Sequence, residues 1–208
     1  MASDPAAAGP PDPAIAIGER LAAHRTRRGM KVSALAREIG VSPSMISQIE
    51  RGQSRPSVST LFALAEALAV PVDAFFRDAG ENGPAAKREE SGEERRGHRY
   101  LVHRDERAAI DIEGGVRWER LTPTQLDDLE FMELVYAPGS ESHASLYRHP
   151  GTEMVLVLSG KLVIFVGFER YELEPGDSIC FPSTTPHRYV NPHDETARAV
   201  TVILQDTV

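Results

Sequence analysis

The chain has 208 residues and a formal net charge of −8 at pH 7, a length that suits two modest hydrophobic cores. The single cysteine, Cys180, excludes an internal disulfide and predicts a reducing, cytoplasmic compartment. No stretch approaches the roughly 20 apolar residues that span a bilayer, which predicts no membrane association, and the N-terminal MASDPAAAGPPDP lacks the regions of a signal peptide, so residues 1–13 are expected to form a disordered tail.

The acidic charge is distributed unevenly along the chain. Residues 14–78 contain nine Lys or Arg and six Asp or Glu, which gives this segment a charge of +3 and leaves −11 for the rest. A basic segment attached to an acidic one is typical of a DNA-binding module joined to a module with a different task.

The basic segment, residues 14–78, has the periodicity of helices. From Ile15 to Phe76 the apolar residues recur at spacings of three and four. Five short helices fit the pattern, at about 15–28, 33–39, 43–51, 57–68 and 72–77. Gly40 is expected to end the second helix in a left-handed conformation. Ser42 followed by Pro43 predicts an N-cap and a sharp start for the third helix.

The second half of the chain has the pattern of strands. Residues 79–97, AGENGPAAKREESGEERRG, offer almost nothing that can be buried and are predicted to be a flexible charged linker. After the linker come seven short apolar or alternating runs, FMELVYAP, EMVLVLSG, KLVIFVG, RYELEPG, DSICFPS, HRYVNP and RAVTVILQ. Such closely spaced strands indicate a sandwich or small barrel over residues 98–208. Cys180 lies inside one run and is expected to be a core residue.

The second and third predicted helices, VSALAREIG and SPSMISQIERG, form a candidate helix-turn-helix. Ile46 and Ile49 would face the core, which leaves the polar side chains of the third helix outward. The candidate DNA contacts are Ser42, Ser44, Ser47, Gln48, Arg51 and Arg55. Ser and Gln side chains can bond to base edges, and Arg can neutralise phosphates. The alternative is a solvated helical face that contacts another protein, as in an adaptor.

Residues 15–77 resemble the Xre/phage-repressor family of helix-turn-helix domains. The resemblance rests on Leu21, Arg25, Gly29, Leu35, Ala36, Gly40, Val41, Ser42, Ile46, Ser47, Ile49, Glu50, Gly52, Pro56, Leu61, Leu64, Ala65, Leu68 and Val70. It implies an ion pair between Arg25 and Glu50 that braces the first helix against the recognition helix. It also implies that Ser44, Ser47 and Gln48 face bases. Lys31 departs from the pattern, because the family often has a capping Ser or Thr there.

The strand-rich half carries two clusters of polar residues, in YRHPGTEMVLVLSG and GDSICFPSTTPHRYVN. Tyr147 and His149 are two residues apart, so on a strand they would point the same way. Two histidines and one carboxylate, His149, Glu153 and His187, can form a facial triad for iron, manganese or a related metal.

These clusters resemble the two motifs of the cupin family, G-x5-H-x-H-x3-E-x6-G and G-x5-P-x-G-x2-H-x3-N. The spacing is kept for His149, Glu153, Gly160, Gly176, Pro182, His187 and Asn191. Tyr147 replaces the first histidine, Glu141 the first glycine and Thr184 the middle glycine of the second motif. The resemblance implies a small jelly-roll barrel in which three of four metal ligands survive.

Two uses of this pocket stay open. His149, Glu153 and His187 can hold a divalent metal with open positions, or these residues and Tyr147 can line a pocket that binds an organic effector. A phenol with a pKa of about 10 is a poor ligand at neutral pH, which favours the effector pocket and leaves no cofactor certain.

The expected fold class is therefore multidomain α plus all-β, with a five-helix helix-turn-helix domain at 14–78 and a cupin domain at 98–208. The resemblance implies a regulator, a repressor by default, that binds a palindromic DNA operator as a homodimer and responds to a small molecule such as an amino acid or a polyamine. The chain is not expected to be an enzyme. The alternative is a metal-dependent cupin enzyme, of dioxygenase or isomerase type, with an accessory DNA-binding domain.

Overall fold

The structure is a computed structural model that describes residues 13–76, 100–126 and 128–205. A helical domain is followed by a β-domain of two sheets, which confirms the expected α plus all-β class. The predicted linker at 79–97 and residues 1–12 of the predicted tail lie outside the described residues. Pro13, predicted as the last tail residue, is instead the first residue of a helix. Proline suits that place because the first turn leaves its N–H groups without helical acceptors.

Four α-helices are present among the described residues. They are α1 (Pro13–Arg27), α2 (Val32–Glu38), α3 (Pro43–Glu50) and α4 (Val58–Leu68). The side chain of Ser42 accepts a hydrogen bond from the Met45 N–H at the start of α3, and that of Ser57 accepts one from the Thr60 N–H at the start of α4. Gly40 has a φ of +75°, so the turn between α2 and α3 needs a residue without a side chain. None of the described helices is both long and apolar enough to cross a membrane.

The fifth short helix predicted at 72–77 is not an α-helix over its described residues, 72–76. Val72–Phe75 is a single 3₁₀ turn, in which the N–H of Ala74 bonds to Pro71 and that of Phe76 to Asp73. A segment this short makes i→i+3 bonds more readily than the i→i+4 bonds of an α-helix, because α-helix nucleation is costly. Phe75 and Phe76 are fully buried, so the turn closes the helical core.

The β-domain consists of nine described strands in two antiparallel sheets. They are β1 (Ala109–Ile112), β2 (Val116–Arg120), β3 (Leu129–Tyr136), β4 (Thr152–Ser159), β5 (Leu162–Val166), β6 (Glu169–Leu173), β7 (Ser178–Pro182), β8 (His187–Val190) and β9 (Ala197–Leu204). One sheet has the order β1-β2-β3-β9-β4-β7 and the other β6-β5-β8. The seven predicted runs correspond to β3 to β9, whereas β1 and β2 were not predicted.

The expectation that Cys180 is a core residue is wrong, because its side chain is exposed. Cys180 lies on β7, an edge strand, where Phe181 points inward and is buried. Successive side chains of a strand point to opposite faces, so the residue before Phe181 must point outward.

Candidate functional site

The outward face of α3 carries short polar side chains. Ser44 and Gln48 are exposed and Ser47 is half-buried, whereas Ile46 and Ile49 are completely buried. Positions three and four apart share one side of a helix, so the three polar residues lie together on the side opposite the core. Such a face presents hydroxyl and amide groups without bulky side chains in front of them.

Hydroxyl and guanidinium groups flank this face. The Ser42 hydroxyl accepts the Met45 N–H at 3.1 Å, which leaves its O–H free to donate outward. Arg51 and Arg55 are both exposed beyond the C-terminal end of α3. The Arg51 Nε donates to the Gln53 Oε1 at 3.1 Å, which orients the guanidinium beside the helix end.

Arg25 on α1 and Glu50 on α3 form a bidentate ion pair. The Arg25 Nε lies 2.5 Å from one carboxylate oxygen of Glu50 and its Nη2 lies 3.0 Å from the other. The Arg25 Nη1 also donates to the Met30 carbonyl at 2.7 Å. The side chains are only 16% and 12% exposed, and the hydrogen bond that Arg25 donates to Glu50 raises the pKa of Arg25. The pair therefore fixes the last turn of α3 relative to α1.

A second cluster lies inside the barrel, where Glu153 of β4 and His187 of β8 meet His149 of the segment that precedes β4. The Nε2 atoms of both histidines lie 3.5 Å from the Glu153 Oε2. All three residues are buried, and one ligand atom of each lies within 4.8 Å of the others. These three atoms have no hydrogen-bond partner among the described residues. Three unsatisfied ligand atoms thus face one another inside the barrel.

The backbone sets the tautomer of both histidines. The Nδ1 of His149 lies 3.0 Å from the Pro150 carbonyl, and that of His187 lies 2.8 Å from the Thr185 carbonyl. A carbonyl can only accept, so each Nδ1 carries a proton. In the neutral ring each Nε2 then presents its lone pair to the cluster, and in the protonated ring it presents an N–H to Glu153. Burial chiefly lowers the pKa of His187, which favours the neutral ring that a metal requires.

Glu153 remains a carboxylate despite its burial. Burial alone would raise the pKa of Glu153, but the neighbouring His149 and His187 and the Tyr189 hydroxyl hold it below its ordinary value. The Tyr189 Oη donates to its Oε1 at 2.6 Å, and the Thr201 Oγ1 donates to the same oxygen at 3.2 Å. Oε2 is left for the histidines, so two imidazoles and one carboxylate fit a divalent cation in charge and donor type.

Tyr147 faces this cluster in the place of the missing ligand. Its ring centroid lies 4.6 Å from that of His187 and 6.4 Å from that of His149. Burial raises the pKa of Tyr147 well above its ordinary value, so the phenol stays neutral and can act as a hydrogen-bonding group beside the triad. The cluster of His149, Glu153, His187 and Tyr147 is called the barrel pocket below.

Phe62 of α4 covers the barrel pocket from the helical domain. Its ring stacks on His149 with centroids 3.9 Å apart and planes 4° apart. It also lies 5.8 Å from the rings of Tyr147 and Trp118. Sequence reasoning missed Phe62, because its apolar side chain is indistinguishable from the other core positions of a helix and its partner belongs to another domain.

Glu130 of β3 is the second residue that sequence reasoning missed. It and Glu153 both pair with Ile203 of β9, so they lie on one rung of the sheet. The Val72 N–H donates to the Glu130 Oε1 at 3.0 Å across the domain boundary. Burial first, and then the charge of Asp73, raise the pKa of Glu130 to about 7. Its alternation with the buried Met132 could have revealed that this acid points inward.

Asn191, the last residue of the second motif, has a structural task. Its side-chain amide donates to the carbonyls of Tyr136, Ala137 and Glu195, and its oxygen accepts the His193 N–H. His193 is half-buried, and its Nε2 lies 3.7 Å from the Glu172 Oε1. These contacts hold the turn after β8 and do not involve the barrel pocket.

Comparison with known families agrees with both clusters. Residues 21–75 match the HTH_3 model, described as a helix-turn-helix, and residues 132–203 match the Cupin_2 model, described as a cupin domain. The chain joins an Xre-type helix-turn-helix domain to a C-terminal cupin domain. The family resemblance seen in the sequence is thereby confirmed for both halves.

Several curated proteins are similar to this chain. A protein of Rhodospirillum rubrum, described as an uncharacterized transcriptional regulator in the ATPase CF(0) region, is 44% identical over 68 residues, which are 33% of this chain and 63% of that protein. The HTH-type transcriptional regulator SutR of Escherichia coli is 28% identical over 83% of this chain and 85% of its own length. The regulator PuuR of Escherichia coli is 24% identical over 86% and 90%.

Among solved structures, an HTH_3 family transcriptional regulator from Vibrio cholerae has a TM-score of 0.65 and 26% identity. The similarity covers 93% of this chain and 97% of that one. The structural similarity therefore spans both the helix-turn-helix domain and the cupin domain of this chain.

Proposed function

We propose that this chain is a DNA-binding transcription regulator, a repressor by default, whose cupin domain binds a small-molecule effector. The observation that carries the proposal is the exposed polar face of α3, held in place by Arg25 and Glu50. A bidentate, mostly buried pair resists rotation of the recognition helix in a groove. The similarity to SutR, PuuR and the Vibrio cholerae protein, all named transcriptional regulators, supports the assignment.

The polar side chains on α3 and those that flank the helix would have separate tasks. Ser44, Ser47 and Gln48 would bond to base edges in the major groove, and Gln is suited to the N6 and N7 of adenine. Ser42, Arg51 and Arg55 would bind the phosphates on either side and so set the register of the helix, without reading sequence.

A homodimer would place two such helices on a palindromic operator. The outer face of the six-stranded sheet supports this arrangement. Leu156 and Leu158 are 42% and 47% exposed on β4, and Val200 and Val202 continue the apolar surface on β9, where they pair with Leu156 and Met154. A self-complementary apolar face of this kind suits a two-fold interface.

The barrel pocket would receive the effector, with an amino acid, a polyamine or a related metabolite as candidates. His149, Glu153 and His187 would hold a divalent metal, and such a metal supplies an anchoring point for an oxygen or nitrogen atom of the effector. Tyr147 would donate its phenol O–H beside that point. Because Phe62 covers the pocket, an effector that moves Phe62 would act on the DNA-binding domain directly. The difference in the affinity of the effector for two arrangements of the domains would set the size of the response.

The test is binding of the full-length protein to fluorescent duplexes from its own genome, measured by anisotropy between about 50 mM and 200 mM salt. Phosphate contacts predict a steep fall in affinity with salt. The R51A variant should weaken binding to all duplexes and reduce the salt slope, whereas R170A, which removes an equal charge from the cupin domain, should change neither. Salt-independent or absent binding to every duplex would contradict the proposal.

A metal-dependent enzyme of dioxygenase or isomerase type is the second candidate, because the two Nε2 atoms and the Glu153 Oε2 point at a common centre. The stacking of Phe62 on His149 counts against it, since the site is covered by another domain. Near-stoichiometric iron or manganese in the purified protein, together with oxygen uptake on an added substrate, would favour the enzyme over the sensor.

A further inference from the structure

A cavity of about 290 Å³ lies between α4 and the mouth of the barrel. The helix-turn-helix domain contributes Phe62, Glu66 and Val72 to its wall, and the cupin domain contributes Glu130, His149 and Gln205. It is called the interdomain cavity below. A molecule in this space would contact both domains at once. A ligand confined to the barrel pocket need not do so.

The interdomain cavity is lined by two acids, Glu66 and Glu130, and none of its described lining residues is Lys or Arg. Glu66 is exposed at the rim, whereas Glu130 is only 1% exposed. The wall is otherwise largely apolar, with Phe62, Ala65 and Val72 among its residues. The cavity therefore combines a negative end with a surface that suits a carbon chain.

Glu130 is incompletely satisfied by the protein. Its Oε1 accepts the Val72 N–H, but its Oε2 has no hydrogen-bond partner among the described residues. The nearby charges of Asp73 and Glu153 are also negative and raise the pKa of Glu130, whereas the charge of His149 acts in the opposite direction. A buried carboxylate oxygen without a donor is costly, and a positively charged N–H donor is the group that offsets this cost best.

We infer that the interdomain cavity binds a small organic cation, whose ammonium group pairs with Glu130 and whose carbon skeleton packs against Phe62 and Val72. The volume far exceeds that of a bare metal ion, and the mostly apolar wall does not supply the several oxygen ligands that such an ion requires. The inference extends the effector binding of the proposed function to a site outside the barrel pocket and rests on it for a regulatory role, whereas cation binding itself does not depend on DNA binding. Because both domains form it, the cation would stabilise their docked arrangement.

The test uses full-length protein and n-butylammonium chloride at pH 8, with 1-butanol and butyrate as neutral and anionic probes of similar size, measured by calorimetry or ligand-observed NMR. Butylammonium should bind about tenfold or more tightly than either control probe. The E130Q variant keeps an acceptor for the Val72 N–H and should bind butylammonium no better than butanol. E174Q, which removes an exposed charge remote from the cavity, should bind like the wild type.

A second variant tests the location. Ala65 lines the cavity from α4 and is buried, so A65L should fill the space and abolish butylammonium binding while the circular dichroism spectrum stays native. Equal binding to E130Q and wild type, equal binding of butanol, or no binding of butylammonium to the wild type would overturn the inference. DNA binding measured without amine tests the proposed function separately, so the two can fail independently.

Discussion

Phe62 of the DNA-binding domain stacks face to face on His149 of the cupin domain, with ring centroids 3.9 Å apart. His149 also presents its Nε2 to Glu153. One imidazole thus meets the candidate ligand site through its edge and the DNA-binding domain through its face. A change in the position of His149 cannot occur without a change in the packing of α4.

The first prediction concerns this stack. Phe62→Ala should lower the free energy of unfolding by about 3 kcal/mol or more, because a large buried aromatic side chain is lost. Trp118, the only tryptophan in the sequence, contacts Phe62 and should become more accessible to acrylamide quenching. Phe168→Ala removes a fully exposed ring and should leave both measurements unchanged. Unaltered quenching in the Phe62 variant would contradict the described docking.

The second prediction concerns Arg25. Arg25→Ala should destabilise the helix-turn-helix domain by about 1 to 3 kcal/mol, since Glu50 would be left partly buried and unpaired. Urea unfolding followed by circular dichroism at the helix band measures this, and DNA affinity should fall in parallel. Arg37→Ala, at an exposed position of α2, serves as the control. Identical unfolding curves for the two variants would contradict a bracing role.

The third prediction is a pH dependence of stability that arises from Glu130. Its pKa is raised to about 7 in the folded protein, so the folded state holds a proton that the unfolded state has already released. Stability should therefore fall as pH rises from about 5 to 8, by up to about 3 kcal/mol from this group alone. Chemical unfolding of the wild type and E130Q across this range should show the fall only in the wild type. A parallel pH profile in both proteins would exclude Glu130 as its source.

The fourth prediction concerns the barrel pocket. Purified protein treated with a chelator and then with Co²⁺ should take up about one ion per chain with visible absorption bands, and His187→Ala should lose this uptake because only two ligands remain. His143→Ala, in an exposed loop, should bind as the wild type does. The His187 variant should retain operator binding and lose the effector response. Loss of DNA binding would instead indicate a structural role for His187.

The fifth prediction concerns base recognition. Gln48→Ala should relax discrimination at one base pair of the operator while the fold is unchanged, because a bidentate contact is worth about 1 to 3 kcal/mol against the wrong base. Binding to a set of single-substitution duplexes measures it, with the exposed Gln125→Ala as the control. Base preferences identical to those of the wild type would show that Gln48 does not read bases.

Features that depend on neighbouring residues in the chain could be predicted from the sequence. Ser42 and Pro43 specify the start of α3 through one side-chain bond and one fixed φ angle, and Gly40 specifies the turn before it. The sequence pattern does not distinguish the short 3₁₀ turn after Pro71 from an α-helix, because the spacing of its buried phenylalanines suits either structure. The barrel pocket could be anticipated because motif spacing identifies His149 and Glu153.

Features that depend on the assembled domains could not be predicted. β1 and β2 contain outward charges such as Asp111 and Arg117, which form an ion pair at 2.9 Å and dilute the apolar pattern of two short strands. Glu130 becomes an inward acid only through the register of β3, and its partner Val72 belongs to the other domain. Phe62 likewise acquires its contact with His149 only when α4 lies on the barrel.

The position of Phe62 within α4 determines how directly the barrel pocket is connected to the recognition helix. Phe62 is the fifth residue of a helix whose first turn contributes Val58 and Leu61 to the buried core that also holds Ile46 of the recognition helix. A displacement of this ring would therefore be transmitted to the core residues that support the recognition helix. Coupling through the contact of Phe62 with His149 would then not depend on the length of the covalent connection between the domains.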